Sequence, residues 1–293
     1  MYNLNQYIVD TPDRCHRLSC GDSLFTVYNC GLDEKFADLW SHNNYIIYVA
    51  EGRKIWHTPQ GSYDLHAGSC VFIRRGAAIV EQFLETEFCF YLFFVSDEFI
   101  CEVLKTKTTA LHQSEKKYHP VIPIESSEAV HSFFKSMLPY FNAAQPPDQS
   151  LLQLKFKELI LTIADNEANK EILCYFCNLL HAPKNVSLQS IIEDNFTFNL
   201  KLEDFARLCY RSLSAFKRDF EQIYQTSPGK WLMEKRLNHA KHLLTVAGKS
   251  VSDAAFESGF ESISHFSRAF TRQFGSPPSA IKRSNRILSQ SVK

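Results

Sequence analysis

No apolar run in the 293 residues approaches 18 positions, so no membrane-spanning helix is expected. The opening stretch, MYNLNQYIVDTPDR, has no basic segment followed by an apolar core, and no signal peptide is expected. The chain has no G-x-S-x-G and no phosphate-binding glycine loop, which removes two familiar catalytic classes. It also lacks a His-x-His pair. His42, His57 and His66 fall on different predicted strands, so no closely spaced histidine set for a catalytic metal is present. No catalytic residue, metal or cofactor is expected. Nine cysteines, an odd number at irregular spacing, read as reduced thiols packed as small hydrophobes in a cytoplasmic chain. Cys174 and Cys177 form a C-x-x-C, but within the helical-looking EILCYFCNLL and without a second Cys or His pair, so they read as core.

Net charge is absent as well: 32 Lys+Arg balance 32 Asp+Glu. The balance conceals a division. Residues 1–183 carry 15 basic against 22 acidic side chains, and residues 184–293 carry 17 against 10. A basic module joined to an acidic one points to a polyanion for the basic one, without choosing among DNA, RNA and an anionic surface.

The basic half contains a repeat. SLSAFKRDFEQIYQTSP, from Ser212 to Pro228, returns fifty positions later as SISHFSRAFTRQFGSPP, from Ser262 to Pro278. Phe216, Phe220 and Tyr224 are spaced by four, as are Phe266, Phe270 and Phe274, which puts three aromatics on one helix face in each copy. Ser212 and Ser262 stand where N-caps belong, and Pro228 and Pro278 follow the helix ends. Away from the aromatic stripe lie Ser214, Lys217 and Arg218 in one copy, and Ser264, Ser267 and Arg268 in the other. A short apolar helix precedes each: Leu202 to Cys209, then Tyr210-Arg211, and Val251 to Ser258, then Gly259-Phe260. Helix, tight turn and capped amphipathic helix make a helix-turn-helix, whose second helix enters the major groove of DNA. A pair of ligand-free helical hairpins is the plainer alternative; two matched copies with cationic outer faces weigh against it. Pro228 to Val246 forms a connecting helix, with Trp231, Leu237, Ala240 and Leu244 expected on one packing face and Ser250 capping the helix that follows.

The acidic half begins with few signals before a turn at Cys20-Gly21-Asp22 and a strand at Ser23–Tyr28. Short strands then follow at regular spacing: Tyr45–Ala50, Arg53–Thr58, Ser62–His66, Ser69–Ile73, Ala78–Phe83 and Phe88–Val95. Gly-containing turns between them indicate an antiparallel barrel or jelly roll. FCFYLFFV, from Phe88, is almost continuously apolar and is placed centrally, covered on both faces. Helices are expected at Asp97–Lys105, Ser126–Phe141, Gln149–Asp165 and Glu171–Leu180. Ala182-Pro183-Lys184-Asn185 reads as a linker, and Ser187–Asn195 as the first helix of the basic half, capped by Ser187.

RLNHAKHLL at Arg236–Leu244, SVSDAAFESGFESISHFSRAF at Ser250–Phe270 and FGSPPSAIKR at Phe274–Arg283 carry a family resemblance. The C-terminal hundred residues resemble the DNA-binding domain of AraC/XylS bacterial transcription regulators. The family often has an aromatic where Lys282 stands. EGRKIWHTPQGSYDLHAGSCVFIRRGAAIVEQF, from Glu51, resembles the cupin-like domain of the branch that includes the type III secretion master activator. The resemblance implies a unit that sets two recognition helices into successive major grooves. It also implies promoter DNA and RNA polymerase as partners, activation rather than repression, and an N-terminal domain that senses a small molecule, dimerises or receives a regulatory protein.

The expectation is therefore an α+β two-domain chain. Residues 1–182 form a cupin-like β-barrel with helices, for regulation and dimerisation through residues 126–180. Residues 183–293 form an all-α DNA-binding domain with two helix-turn-helix motifs. Arg218 and Arg268 can fork onto guanine or phosphate, and Lys217 suits phosphate. Ser214, Ser264 and Ser267 are short enough to approach base edges, and Ile263 can pack on a thymine methyl. His265 can touch phosphate, as can the helix-start amides at Ser212 and Ser262. Two other readings are a metal-dependent cupin enzyme and a non-specific architectural DNA binder; the second leaves the acidic domain without a role.

Overall fold

The computed structural model describes residues 1–11, 15–29, 35–83, 88–108, 118–143, 145–181 and 188–281. The chain divides into two compact units, Met1–Val186 and Ser187–Lys293. The expected linker at Ala182–Asn185 and the expected cap at Ser187 lie outside the described residues.

The first unit opens with β1 (Tyr2–Asn3), α1 (Leu4–Asp10), β2 (Cys15–Cys20), β3 (Ser23–Asn29) and β4 (Phe36–Ser41). The strand run follows as β5 (Asn44–Glu51), β6 (Arg53–Thr58), β7 (Gly61–His66), β8 (Cys70–Ile73), β9 (Gly76–Gln82) and β10 (Cys89–Val95). Then come α2 (Asp97–Leu104), β11 (Val121–Ile124), α3 (Glu128–Phe141), α4 (Gln149–Asp165) and α5 (Lys170–His181). The strands form two sheets, ordered β1-β4-β9-β6-β7 and β11-β8-β5-β10-β3-β2. Every pairing is antiparallel except that of β1 with β4.

The six-stranded sheet is covered on both faces, and β10 shows why its sequence is so apolar. Phe90, Leu92 and Phe94 point into the core shared with the five-stranded sheet, beside Leu39, Trp56 and Val80. Tyr91, Phe93 and Val95 point into a second core with Val130, Phe134, Phe156, Ile163 and Phe176 of α3, α4 and α5. The period-two alternation of a strand thus feeds two different cores, and no position is left for a polar residue. The stripe Leu152, Phe156, Leu159 and Ile163 on α4 is buried in that second core.

Polar bonds lock the helical layer to the sheet. Ser96 caps α2 by accepting from the Phe99 amide at 3.2 Å. Buried Asp97 accepts from Asn44 of β5 at 2.6 Å and from Arg75 at 2.5 Å. Asn169, before α5, donates to the Ile163 carbonyl at 3.0 Å and accepts from the Glu125 amide at 2.7 Å, tying the end of α4 to the start of α3.

The second unit is helical: α6 (Leu188–Asn195), α7 (Leu202–Leu208), α8 (Leu213–Tyr224), α9 (Pro228–Thr245), α10 (Val251–Phe256) and α11 (Ile263–Phe274). α7 and α8 form one helix-turn-helix, α10 and α11 the other, and α9 joins them. One expectation needs correction. Trp231 does not share a face with Leu237, Ala240 and Leu244. Six residues carry a helix about 240° beyond a full turn's start, so Trp231 faces another way. It packs on Phe220 and Tyr224 of α8, at ring distances of 5.8 and 4.9 Å. Leu237, Ala240 and Leu244 join the core of the second motif with Ala254, Phe266 and Phe270.

Candidate nucleic-acid interface

Each second helix of a motif is held by its cap and its aromatic stripe. Ser212 Oγ accepts from the Ala215 amide at 3.3 Å to start α8, and Ser262 Oγ accepts from the His265 amide at 3.4 Å to start α11. Phe216 and Phe220 are fully buried, as are Phe266 and Phe270. Burial of one such ring stabilises by about 1.5–3 kcal/mol, so two rings per helix fix which side faces inward. The opposite side is then obliged to face out. Ser212, Ser214, Lys217 and Arg218 are exposed, and so are Ser262, Ile263, Ser264, His265 and Arg268. Ser267 is half-buried. The structure therefore gathers the predicted residues on two helix faces, one per motif.

The faces differ in charge. α8 carries Lys217 and Arg218 with Asp219 and Glu221; α11 carries Arg268 and Arg272 and no carboxylate. Asp219 accepts from Arg218 Nε at 3.2 Å and pairs with Arg211 Nε at 3.1 Å. Arg268 instead donates back to the Ser264 carbonyl, one turn earlier on its own helix, at 3.3 Å. Arg268 thus presents its remaining donors with no carboxylate on its own helix.

Arg272, exposed one turn beyond Arg268, was not among the residues singled out from sequence. Its four-residue spacing from Arg268 was the available signal. Arg211 was also missed. It lies in the turn before α8 and meets Asp219 from eight positions away, a contact no helical periodicity announces.

The histidines weighed as metal ligands have other partners. His57 Nδ1 bonds Ser62 Oγ at 2.8 Å and His57 Nε2 meets Glu81 at 3.1 Å. His42 bonds Asn3 at 3.0 Å, and His66 lies 3.5 Å from Ser69 Oγ. Among the described residues no three His, Cys, Asp or Glu side chains are grouped to hold a metal ion, and Cys174 and Cys177 are not joined in a disulfide. No described helix is long and apolar enough to cross a membrane.

Two family models match the chain. The ExsA N-terminal regulatory domain matches residues 44–175, and a helix-turn-helix domain matches residues 205–284. The virulence regulon transcriptional activator VirF of Yersinia enterocolitica is 28% identical over 246 residues, covering 82% of this chain and 90% of VirF. The HTH-type transcriptional regulator ExsA of Pseudomonas aeruginosa is 27% identical over 242 residues, covering 81% of this chain and 85% of ExsA. Among solved structures, wild-type ToxT of Vibrio cholerae with bound unsaturated fatty acid aligns over 89% of this chain and 94% of its own, at 14% identity and a TM-score of 0.40.

Proposed function

Because the chain belongs to the AraC family of transcription regulators, we propose that it recognises promoter DNA by setting α8 and α11 into successive major grooves, about 34 Å apart. The observation that carries this reading is the duplicated, Ser-capped helix whose polar face is turned outward in both copies. α9, 18 residues and about 27 Å long, is suited to spacing them. The family and the named relatives are regulators of transcription rather than enzymes, and VirF is named an activator. Activation, with RNA polymerase as partner, is the reading carried over here.

Within this reading Arg268 and Arg218 fork onto guanine or phosphate, Lys217 holds phosphate, and Ser214, Ser264 and Ser267 approach base edges or phosphate. Ile263, 39% exposed at the start of α11, supplies an apolar contact for a thymine methyl. The amides at the helix starts beside Ser212 and Ser262, and His265, complete the phosphate contacts. Residues 1–182 act as the regulatory and dimerisation domain and residues 183–293 as the DNA-binding domain. Leu138 on α3 and Leu151 and Leu154 on α4 are exposed, Leu154 by 65%, which supports pairing of two copies through residues 126–180. A small molecule or a regulatory protein acting on the first domain would control the second.

The test is selection of duplexes from a random library by the full chain. Arg268→Ala should then weaken the selected duplex by about 1–3 kcal/mol and random duplex far less. Equal losses would confine Arg268 to phosphate. Failure of any sequence to be enriched would favour the architectural reading.

A further inference from the structure

The two motifs meet at a junction built from three separate stretches. Residues 196–199 leave α6 and lead into α7, so by sequence they belong to the first motif. Their backbone is nevertheless held by α9. Arg236 Nε donates to the Phe196 carbonyl at 2.6 Å, and Arg236 Nη2 donates to the Phe198 carbonyl at 2.6 Å. The carbonyl between them, that of Thr197, lies against the second motif. A Cβ on Gly259 would stand 2.7 Å from the Thr197 oxygen and 3.1 Å from Arg236 Nε. Gly259 also has φ +82°, in the left-handed region. Further contacts tighten the same place. The His239 ring of α9 lies edge-on to Phe196 at 5.5 Å, and His239 Nδ1 meets buried Ser258 Oγ at 3.1 Å. Asn199 Nδ2 donates to Glu261, in the turn before α11.

A connecting helix fixes the distance between two bodies but leaves their rotation to the contacts at its ends. At α9 those end contacts are largely apolar: Trp231 on Phe220 and Tyr224, and Leu237 and Leu244 in the second core. Apolar contact is non-directional. The Arg236 fork is directional, charge-assisted, and engages two carbonyls two residues apart. Burial pulls the guanidinium below its ordinary pKa, and the two carbonyl bonds offset that loss of water.

We infer that Arg236 is a positioning residue for two-groove recognition. By pinning residues 196–198 between α9 and Gly259, it sets the rotational phase between α8 and α11, and so the spacing of the two half-sites that the chain accepts. The inference rests on the two-groove reading above. Arg236 itself touches backbone carbonyls, so its removal should spare the helix faces and act on their mutual orientation.

The experiment uses the full chain with Arg236→Met, Arg236→Lys and Asn199→Ala. The probes are the duplex selected by the unsubstituted chain and the same duplex with one or two base pairs inserted between its protected halves. Two linked binding elements lose about 100-fold or more when geometry forbids joint engagement, so insertion should weaken the unsubstituted chain strongly. Arg236→Met should bind the uninserted duplex about tenfold more weakly and lose less than about threefold on insertion. Arg236→Lys should fall between. An insertion penalty in Arg236→Met equal to that of the unsubstituted chain would overturn the inference. A second measurement needs no DNA. Spin labels, introduced as noncanonical amino acids at exposed Gln222 of α8 and Gln273 of α11, should give a narrow distance distribution that broadens in Arg236→Met. Superimposable distributions would also overturn it. Should Arg236→Met fail to fold, Arg236→Lys and surface-exposed Asn199→Ala are read by the same two measurements. If the unsubstituted chain enriches no duplex, the two-groove reading falls, while the distance distributions still decide the clamp.

Discussion

The two helix-turn-helix motifs both place a left-handed residue in the turn before their second helix and another at its end, and they support these points by opposite means. Among the described residues, the non-glycines with positive φ are Tyr210 at +52° and Gln225 at +54°, and both belong to the first motif. Their counterparts in the second are Gly259 and Gly275, at +82° and +71°. A non-glycine in that region costs about 1–2 kcal/mol. The first motif holds its turn to α8 with an ion pair, Arg211 with Asp219. At the matching places the second has Phe260 and Ala269, both buried in one apolar core. The second motif also carries one more residue in its turn, Glu261, ahead of the cap at Ser262. The first motif is thus strained and charge-balanced on its outer helix, and the second is relaxed and cationic. The lesson is that the backbone path is the constraint, while the chemistry that supports it is open to exchange.

The sharpest test is Gly259→Ala, which adds both left-handed strain and a clash with the Thr197 carbonyl. It should destabilise the second unit by about 2–4 kcal/mol, seen as lost hydrogen-exchange protection in α10 and α11. A cost no greater than strain alone would mean that residues 196–198 move aside freely. Next in size is DNA affinity. Arg268→Ala should cost about 1–3 kcal/mol on a selected duplex. Arg218→Ala should cost less, because Arg218 must first leave Asp219, an exposed pair worth about 0.2–1 kcal/mol. Equal losses in parallel titrations would erase the proposed asymmetry. Third, Asp219→Ala leaves Arg211 without its carboxylate, and Arg211 Nη1 already has no hydrogen-bond partner. The expected loss is about 1 kcal/mol, recovered in the double variant Arg211→Phe with Asp219→Ala, which copies the second motif. Chemical denaturation of the four-member cycle reports the coupling; additive effects would show that the two solutions are not interchangeable. Smallest is Tyr210→Gly, expected to gain about 1 kcal/mol or less as relief of strain offsets the added freedom of the unfolded chain. A loss in thermal unfolding would mean that the Tyr210 side chain contributes more than its backbone costs.

What was legible in the sequence was what is local in it. Caps at Ser212, Ser250 and Ser262, aromatics every four residues and turn residues at regular spacing all act within a dozen positions. They located α8, α10, α11 and the run from β5 to β10. FCFYLFFV announced a strand covered on both faces because each face has its own core. The strands β1, β2, β4 and β11 and the helix α1 were not announced. β4 and β2 alternate weakly, and Val121–Ile124 has a proline at its third position, which demotes a strand on sequence grounds although Pro123 sits here on an edge strand. The face of Trp231 was misread because its partners, Phe220 and Tyr224, lie across a turn. The clasp of Arg236 on two carbonyls was beyond reach of any pattern, since carbonyl positions follow from a fold already formed.

The sharing of α9 has a consequence for inheritance and engineering. Its first turns belong to the core of one motif and its later turns to the core of the other. Neither motif can be cut out without exposing part of what the remaining one stands on. The pair should therefore melt in one cooperative step, and it should be exchanged between proteins only as a block. A graft of either motif alone would carry a half-bare helix, whereas a graft of residues 188–281 would carry every described contact that holds the two together.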